Sequence, residues 1–205
     1  MKPNKIKNVI FDIGNVFVRW SPTVICRLTF GDNGDLSTTA NSVFNTDIWF
    51  DLNKGLFTEA EAKQHFIKKL CFAEKEIEAL FFYVKESLIP IYGTQSLFKR
   101  LKSSGYNTFA LTDNVAEIIE HLQSRYTFWP DFDGVVASCE LGVLKPNPEI
   151  YQHLFYKFNL EPSECVFLDD MQHNIQGAKA VGMQGIQFLN ADQCEHELIN
   201  LGLTF

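Results

Sequence analysis

A chain of 205 residues, 46% hydrophobic and 21% charged, can bury a real core as one domain or as a core carrying a small insertion. A net charge of -7 and a sequence pI near 5.2 leave no basic stripe for nucleic acid, the one dense basic patch being Lys99-Arg100 with Lys102. No apolar run approaches the ~20 residues that span a bilayer, so neither nucleic acid nor a membrane is expected as a partner.

Cys26, Cys71, Cys139, Cys165 and Cys194 are scattered without CxxC spacing, which argues against a zinc site and a disulfide framework. They read as small core residues in a reducing compartment. The polar start from Met1 to Lys5 runs straight into a strand-like segment and shows no secretory signal, so the cytoplasm is the expected location. In so acidic a chain an anionic substrate needs local help from a metal, a lysine or backbone N–H groups.

In chain order, Lys5 to Phe11 is the first strand, its Ile6, Val9, Ile10 and Phe11 β-favouring and its end marked by Gly14 and Asn15. From about Phe17 to Pro90 the apolar residues recur at helical spacing, as in Ala62, Phe66, Ile67 and Leu70, and Thr58 with Glu61 forms a capping box. Some four helices are expected there, inserted after the first strand.

Strand and helix then alternate. A helix from Thr94 to Ser103 precedes a strand from Asn107 to Leu111, which ends in Thr112-Asp113-Asn114. A helix from Val115 to about Ser124 leads through Phe128-Trp129-Pro130 to a third strand at Gly134 to Ala137. Pro148 to Phe158 is a helix with Asn147 as its N-cap. The fourth strand, Cys165 to Leu168, ends in Asp169-Asp170. Ile175 to Val181 is a helix, Gly185 to Leu189 the fifth strand and about Cys194 to Leu201 the last helix. This alternation predicts an α/β fold with a parallel sheet covered on both faces.

Asp12, Thr112, Lys145 and Asp169-Asp170 all follow strands of that sheet and would meet at its carboxyl edge, where open α/β sheets place ligands. Each has a local reading as well: Asp12 as a turn acid, Thr112 as a helix cap, Lys145 as a surface lysine, the acid pair as a cap. Together, three carboxylates need a cation among them, and Mg²⁺ suits hard oxygen ligands. With a lysine and a hydroxyl beside it, this is a phosphoryl-transfer constellation in which an aspartate can be the nucleophile.

Asp12-Ile-Gly-Asn-Val, Leu111-Thr-Asp-Asn114, Gly142-Val-Leu-Lys-Pro-Asn-Pro-Glu-Ile-Tyr151 and Val166-Phe-Leu-Asp-Asp-Met-Gln-His-Asn174 resemble, in order, the four motifs of the haloacid dehalogenase-like hydrolase superfamily. Phe128-Trp-Pro and the run from Lys145 to His153 are most similar to members like glucose-1-phosphate phosphatase and the N-terminal phosphatase domain of soluble epoxide hydrolase. The resemblance implies a Rossmann-like five-stranded parallel sheet in the order 5-4-1-2-3. It divides the chain into a core of residues 1–16 and 91–205 and a small helical cap of residues 17–90. It further implies a Mg²⁺-dependent phosphatase of small phosphorylated metabolites, sugar phosphates foremost, working through an aspartyl-phosphate.

By the same resemblance Asp12 is the nucleophile and a Mg²⁺ ligand, with the Gly14 carbonyl and Asp170 as further ligands and Asp169 beside them. Thr112 and the Asp113 backbone N–H bind the phosphoryl group, and Lys145 neutralises charge. Asn174 stands where relatives often have an acid that orients metal-bound water or the lysine. Two positions depart from the pattern: Gly14 replaces a general acid worth ~10²–10⁴ in rate, and Asp113 replaces Asn, with no consequence expected for its side chain.

The missing acid leaves two alternatives, a 2-haloacid dehalogenase-like hydrolase and a catalytically silent module binding a phosphorylated ligand or a protein. Arg19, Trp20, Asp47, Trp49 and Lys54 are the candidate substrate-selecting residues, Arg19 for an anionic group and Trp20 for stacking, with Trp20 and Trp49 as core aromatics the other reading. His173 is expected on the solvent side of its helix; His65, His121, His153 and His196 receive no role. The Phe-rich insertion can bury its aromatics internally or in a dimer, so a monomer or a homodimer is expected.

Overall fold

Val9, Ile10 and Phe11 are fully buried, and burial on both faces is what places β1 (Asn8–Phe11) at the centre of the sheet. The computed structural model describes residues 5–32 and 34–205; Met1 to Asn4, on which the absence of a signal was read, lie outside them. β2 (Asn107–Thr112) and β4 (Cys165–Asp169) flank β1, with β3 (Gly134–Ala137) and β5 (Gln184–Gln187) outside them. All pairings are parallel and the order β3-β2-β1-β4-β5 is the expected one read from the other edge. Phe11 pairs with Ala110 and Leu168, so the chain reaches Asp12 and Asp169 at one level of the carboxyl edge.

Side-chain alternation along the strands creates two apolar layers. Val9, Phe11, Ala110, Val166 and Leu168 face α6 (Thr94–Ser103), α7 (Ala116–Arg125) and α11 (Ala191–Asn200), through residues such as Phe98, Leu122 and Leu198. Ile10, Phe109, Leu111 and Phe167 face α9 (Pro148–Phe158) and α10 (Gln172–Ala180). Lys145 arrives in the loop between the short α8 (Ser138–Leu141) and α9.

Between β1 and α6 lie five helices rather than four: α1 (Pro22–Phe30), α2 (Leu36–Phe44), α3 (Asp47–Asn53), α4 (Glu59–Leu70) and α5 (Glu74–Glu86). The periodicity missed one because α2 and α3 are short and separated by only two residues. Their starts are set by caps, Asp35 accepting from the Ser37 and Thr38 N–H groups and Thr46 from the Trp49 N–H. The capping box of Thr58 and Glu61 is present as expected. Two helices start three residues early: Asn190 caps α11 by accepting from Gln193 N–H at 2.9 Å, whereas α10 begins at Gln172 with no side-chain cap. β1 is shorter than expected at its start, and β5 runs from Gln184 to Gln187 rather than on to Leu189.

The chain leaves and re-enters the sheet region through a two-stranded neck. Val18 bridges Gly14 and Pro90, Arg19 N–H donates to Ile89 O at 2.8 Å, and Ile91 N–H donates to Phe17 O at 2.9 Å. Below it Phe17 packs on Phe11 and Phe98 with ring centroids 5.4 Å from each, which is where part of the phenylalanine excess goes. Away from the neck the insertion is tied down again: Ser138 Oγ donates to Asn53 O at 2.6 Å and Glu59 N–H donates to Glu117 Oε1 at 2.8 Å.

Gly55, in the left-handed region at φ +71°, lies so close to α8 that a Cβ would stand 2.2 Å from Cys139 O. Gly105 is also left-handed, at φ +86°, but faces open space. Gly105→Ala is expected to cost about 1 kcal/mol of backbone strain, and Gly55→Ala at least about 1 kcal/mol more from the clash. Urea unfolding of both variants beside the parent checks the difference.

Candidate active site

Asp12 stands one residue past β1, held by its N–H donating to Leu168 O at 2.8 Å, and is only 8% exposed. Its Oδ1 accepts from Ile13 N–H at 2.7 Å and lies 3.0 Å from Lys145 Nζ, while Oδ2 meets no donor among the described residues. Lys145 is buried, not a surface lysine. Its ammonium donates to Asp169 Oδ2 at 2.8 Å and Leu111 O at 3.2 Å and sits over the Phe167 ring, so its donors are directed at the centre of the site.

Asp169 is the most committed of the acids. Besides Lys145, both its oxygens accept from Asn174 Nδ2, at 3.1 and 3.0 Å, and Oδ1 accepts from Met171 N–H. Asn174 therefore holds Asp169, not the lysine; Tyr151 in turn fixes that turn by donating to Asn174 O at 2.9 Å. Asp170 receives Asn15 Nδ2 on Oδ2 at 3.0 Å.

Burial pushes Asp12 well above the ordinary carboxylate range, Lys145 pulling it back and Asp169 adding to the rise. Burial likewise raises Asp113 and Asp170. For Lys145 burial works against the charge, but Asp12, Asp169 and Asp113 outweigh it and hold the ammonium well above the usual lysine value. One lysine thus faces four carboxyl groups, and the excess negative charge is what a cation would relieve. Donor oxygens of Asp12, Asp169 and Asp170 lie within 4.8 Å of one another, a hard-oxygen set suited to a divalent ion. Asp12 and Asp170 have the capacity to ligate; Asp169 is occupied by Lys145 and Asn174.

A cavity of about 470 Å³ opens over Asp12. Its floor is Asp12, Gly14, Asn15, Asp113, Lys145 and Asp170, and its roof comes from the insertion, chiefly Phe44, Trp49, Phe50 and the neck residue Trp20. Trp20 and Trp49 stack at 5.7 Å with 19° between their planes and Phe44 meets both edge-on, so the two tryptophans are at once packed aromatics and cavity wall. Thr112 closes β2, 1% exposed and outside the lining; α7 starts at Ala116 with Val115 as its N-cap, so Thr112 caps no helix.

Four expectations need correction. Arg19 does not reach the cavity: it is exposed on the neck, where the alternation that turns Val18 and Trp20 inward turns it outward. Lys54 pairs with Asp51 at 3.2 Å, and Asp47 is exposed in the first turn of α3. The Asp113 side chain matters, since Oδ1 accepts from Lys145 N–H at 3.1 Å and so places the lysine loop. His173 is exposed, as expected, and stands at the cavity rim.

Asn15 is the residue sequence reasoning passed over. At φ 52° it takes the left-handed turn that Asn tolerates, accepts from Trp20 N–H at 2.8 Å and donates to Asp170, joining neck to acid cluster. Its signal was its place in the Gly-Asn turn directly after Asp12.

Residues 6–182 match the family model of the haloacid dehalogenase-like hydrolases. The chain is 28% identical over 185 residues to the sesquiterpene phosphatase astK of Aspergillus oryzae, covering 90% of this chain and 91% of that one. It is 31% identical over 163 residues to flavin mononucleotide hydrolase 1 of Arabidopsis thaliana, covering 77% of this chain and 63% of the relative. In fold it is similar to a HAD family enzyme of Bacteroides thetaiotaomicron solved with magnesium and inorganic phosphate, at a TM-score of 0.75 and 20% identity, over 94% of this chain and 98% of that one.

Asp113→Asn keeps an acceptor for Lys145 N–H but removes a carboxyl whose native pKa is raised. Such a group favours the native state below its unfolded value, near pH 4, and that contribution is lost as pH rises through the native value. In EDTA the variant is therefore expected to gain thermal stability relative to the parent between pH 4 and pH 7.5. Paired melting curves across that range check the sign.

Proposed function

This chain belongs to the haloacid dehalogenase-like hydrolases, and from that premise we propose that it is a Mg²⁺-dependent phosphomonoesterase acting on small phosphorylated metabolites through an aspartyl-phosphate on Asp12. The single observation that carries the reading is the state of Asp12: one oxygen pinned by Ile13 N–H and Lys145, the other without a donor among the described residues, at the floor of a cavity roofed by the insertion. The similarity to a sesquiterpene phosphatase and a flavin mononucleotide hydrolase supports the reaction, and their unlike substrates leave the alcohol open. The magnesium and phosphate held by the Bacteroides neighbour support the choice of ion.

In this reading residues 17–90 are a cap over a core of 1–16 and 91–205, hinged at the neck. Asp12 and Asp170, with the Gly14 carbonyl and Asp169 beside them, would hold Mg²⁺. The bound ion would supply positive charge to the phosphoryl oxygens and let Asp12 stay ionised. Asp12 Oδ2 attacks phosphorus and the bond from phosphorus to the ester oxygen breaks, the departing oxygen taking its proton from water to leave as the alcohol. Lys145 holds the other Asp12 oxygen still and offsets charge, and Thr112 and the Asp113 N–H bind the phosphoryl group. Water then attacks the same phosphorus, inorganic phosphate leaves and Asp12 is restored.

The proton for the departing alcohol has no donor two residues after Asp12. Gly14 is not there for backbone reasons: its φ is not positive, and an added Cβ would stand 3.9 Å from Trp20 Cβ, an ordinary contact. Esters with good leaving groups are therefore the faster substrates. The same Gly14 favours the second reading, a silent ligand-binding module. A dehalogenase fits less well, because substitution at carbon leaves the Asp169-Asp170 pair without a use. We place the protein in the cytoplasm, which the free state of all five cysteines suits, and no helix among the described residues is long and apolar enough to cross a membrane.

Phosphate release from an aryl phosphate is expected with Mg²⁺, lost in excess EDTA and reduced about 10⁴-fold in Asp12→Asn. Binding without turnover across a broad ester panel would instead establish the silent module. Gly14→Asp is expected to raise kcat on alkyl phosphates by about 10²-fold and to change aryl phosphates far less, because an aryl oxide leaves without a proton. Steady-state kinetics on the two ester types separates those effects.

A further inference from the structure

The cavity roof contrasts with its floor. Every charged side chain in the lining, Asp12, Asp113, Lys145 and Asp170, belongs to the floor, with His173 at the rim. The insertion and neck contribute Trp20, Ala40, Phe44, Trp49, Phe50 and Leu88, and from them no charged side chain. The one lysine is already consumed by Asp12, Asp169 and Leu111 O, so a second anionic group on a substrate would find no cation to pair with.

The roof is also poor in hydrogen-bonding groups. Its polar side chains are Asn41, Asn45 and Asn53, and Asn53 Nδ2 already donates to Trp49 O at 2.8 Å. A sugar would bring several hydroxyls against a wall that offers them three amides, of which Asn41 and Asn45 are exposed to water, and otherwise aromatic and aliphatic surface. An apolar body would instead cover aromatic surface that otherwise faces water, of which Phe50, 38% exposed at the cavity wall, is the clearest piece.

Resting on the phosphatase reading, we propose that the substrate is the monophosphate of an apolar alcohol, a flat aromatic or branched hydrocarbon body, and not a sugar phosphate. Phosphate sits on the floor at Asp12, and the body lies under Trp20, Phe44, Trp49 and Phe50. Lacking a second cation, the site takes esters with a single phosphate.

The test compares kcat/KM for 2-(1-naphthyl)ethyl phosphate, geranyl phosphate and glucose 6-phosphate, all esters of primary alcohols, with Mg²⁺, beside tryptophan-fluorescence titrations with naphthyl and glucose phosphonates, which bind but are not cleaved. An advantage of at least about tenfold for the apolar esters in kcat/KM, and for the naphthyl phosphonate in affinity, is expected. Phe50→Asn is expected to shrink both advantages by raising KM and Kd for the apolar ligands. Glucose 6-phosphate cleaved as well as or better than the apolar esters overturns the proposal while leaving the phosphatase reading intact. If no ester is cleaved, the phosphatase reading falls and the titrations still decide: equal or tighter binding of the glucose phosphonate overturns the apolar assignment, and selective binding of the naphthyl phosphonate upholds it.

Discussion

A buried ammonium held among carboxylates is the interaction on which the rest of this site depends. Lys145 Nζ touches Asp12, Asp169 and the end of β2 at once, and so fixes three strands at their carboxyl edge relative to one another. A charge taken out of water is tolerated only when it is paired and hydrogen-bonded. That condition dictates much of the surroundings. Asp113 aligns the lysine backbone, Asn174 donates to both oxygens of Asp169, and Tyr151 fixes Asn174. With Asp169 so consumed, Asp12 and Asp170 are the less committed acids of that trio.

Asn15 extends this order to the helical insertion. Its side chain links Asp170 to the backbone of Trp20, and Trp20 is the first aromatic of the roof. Any movement at the neck is thereby felt at an acid of the cluster, and any cation there bears on the neck. The insertion is otherwise anchored at its far side, by Ser138 to Asn53 and by the close approach of Gly55 to Cys139. The roof thus hangs between two fixed attachments, which favours a shaped apolar cavity over an open groove.

Much of this was legible in the chain itself. Strands that end in Asp12, Thr112 and Asp169 announce themselves by apolar runs cut off at a polar residue, and parallel pairing through helical crossovers brings such ends to one edge. α6, β3 and α9 begin and end where their patterns do, because Gly105, Pro148 and Asn147 punctuate them. α2 and α3 were not separable, being short, closely joined and started by side-chain caps instead of by apolar spacing.

Sequence alone determined the parallel α/β architecture, the helical insertion after β1 and the set of acids, lysine and hydroxyl gathered at the sheet edge, since each follows from local pattern and strand order. Only the tertiary structure decided what those side chains do to one another. It buried Lys145, gave Asp169 to Asn174, turned Arg19 out and Trp20 in, and assembled a roof from residues far from the sheet. The physical reason is that pairing and exposure depend on which groups share a dry volume, and that is a property of packing between elements rather than of any stretch of chain.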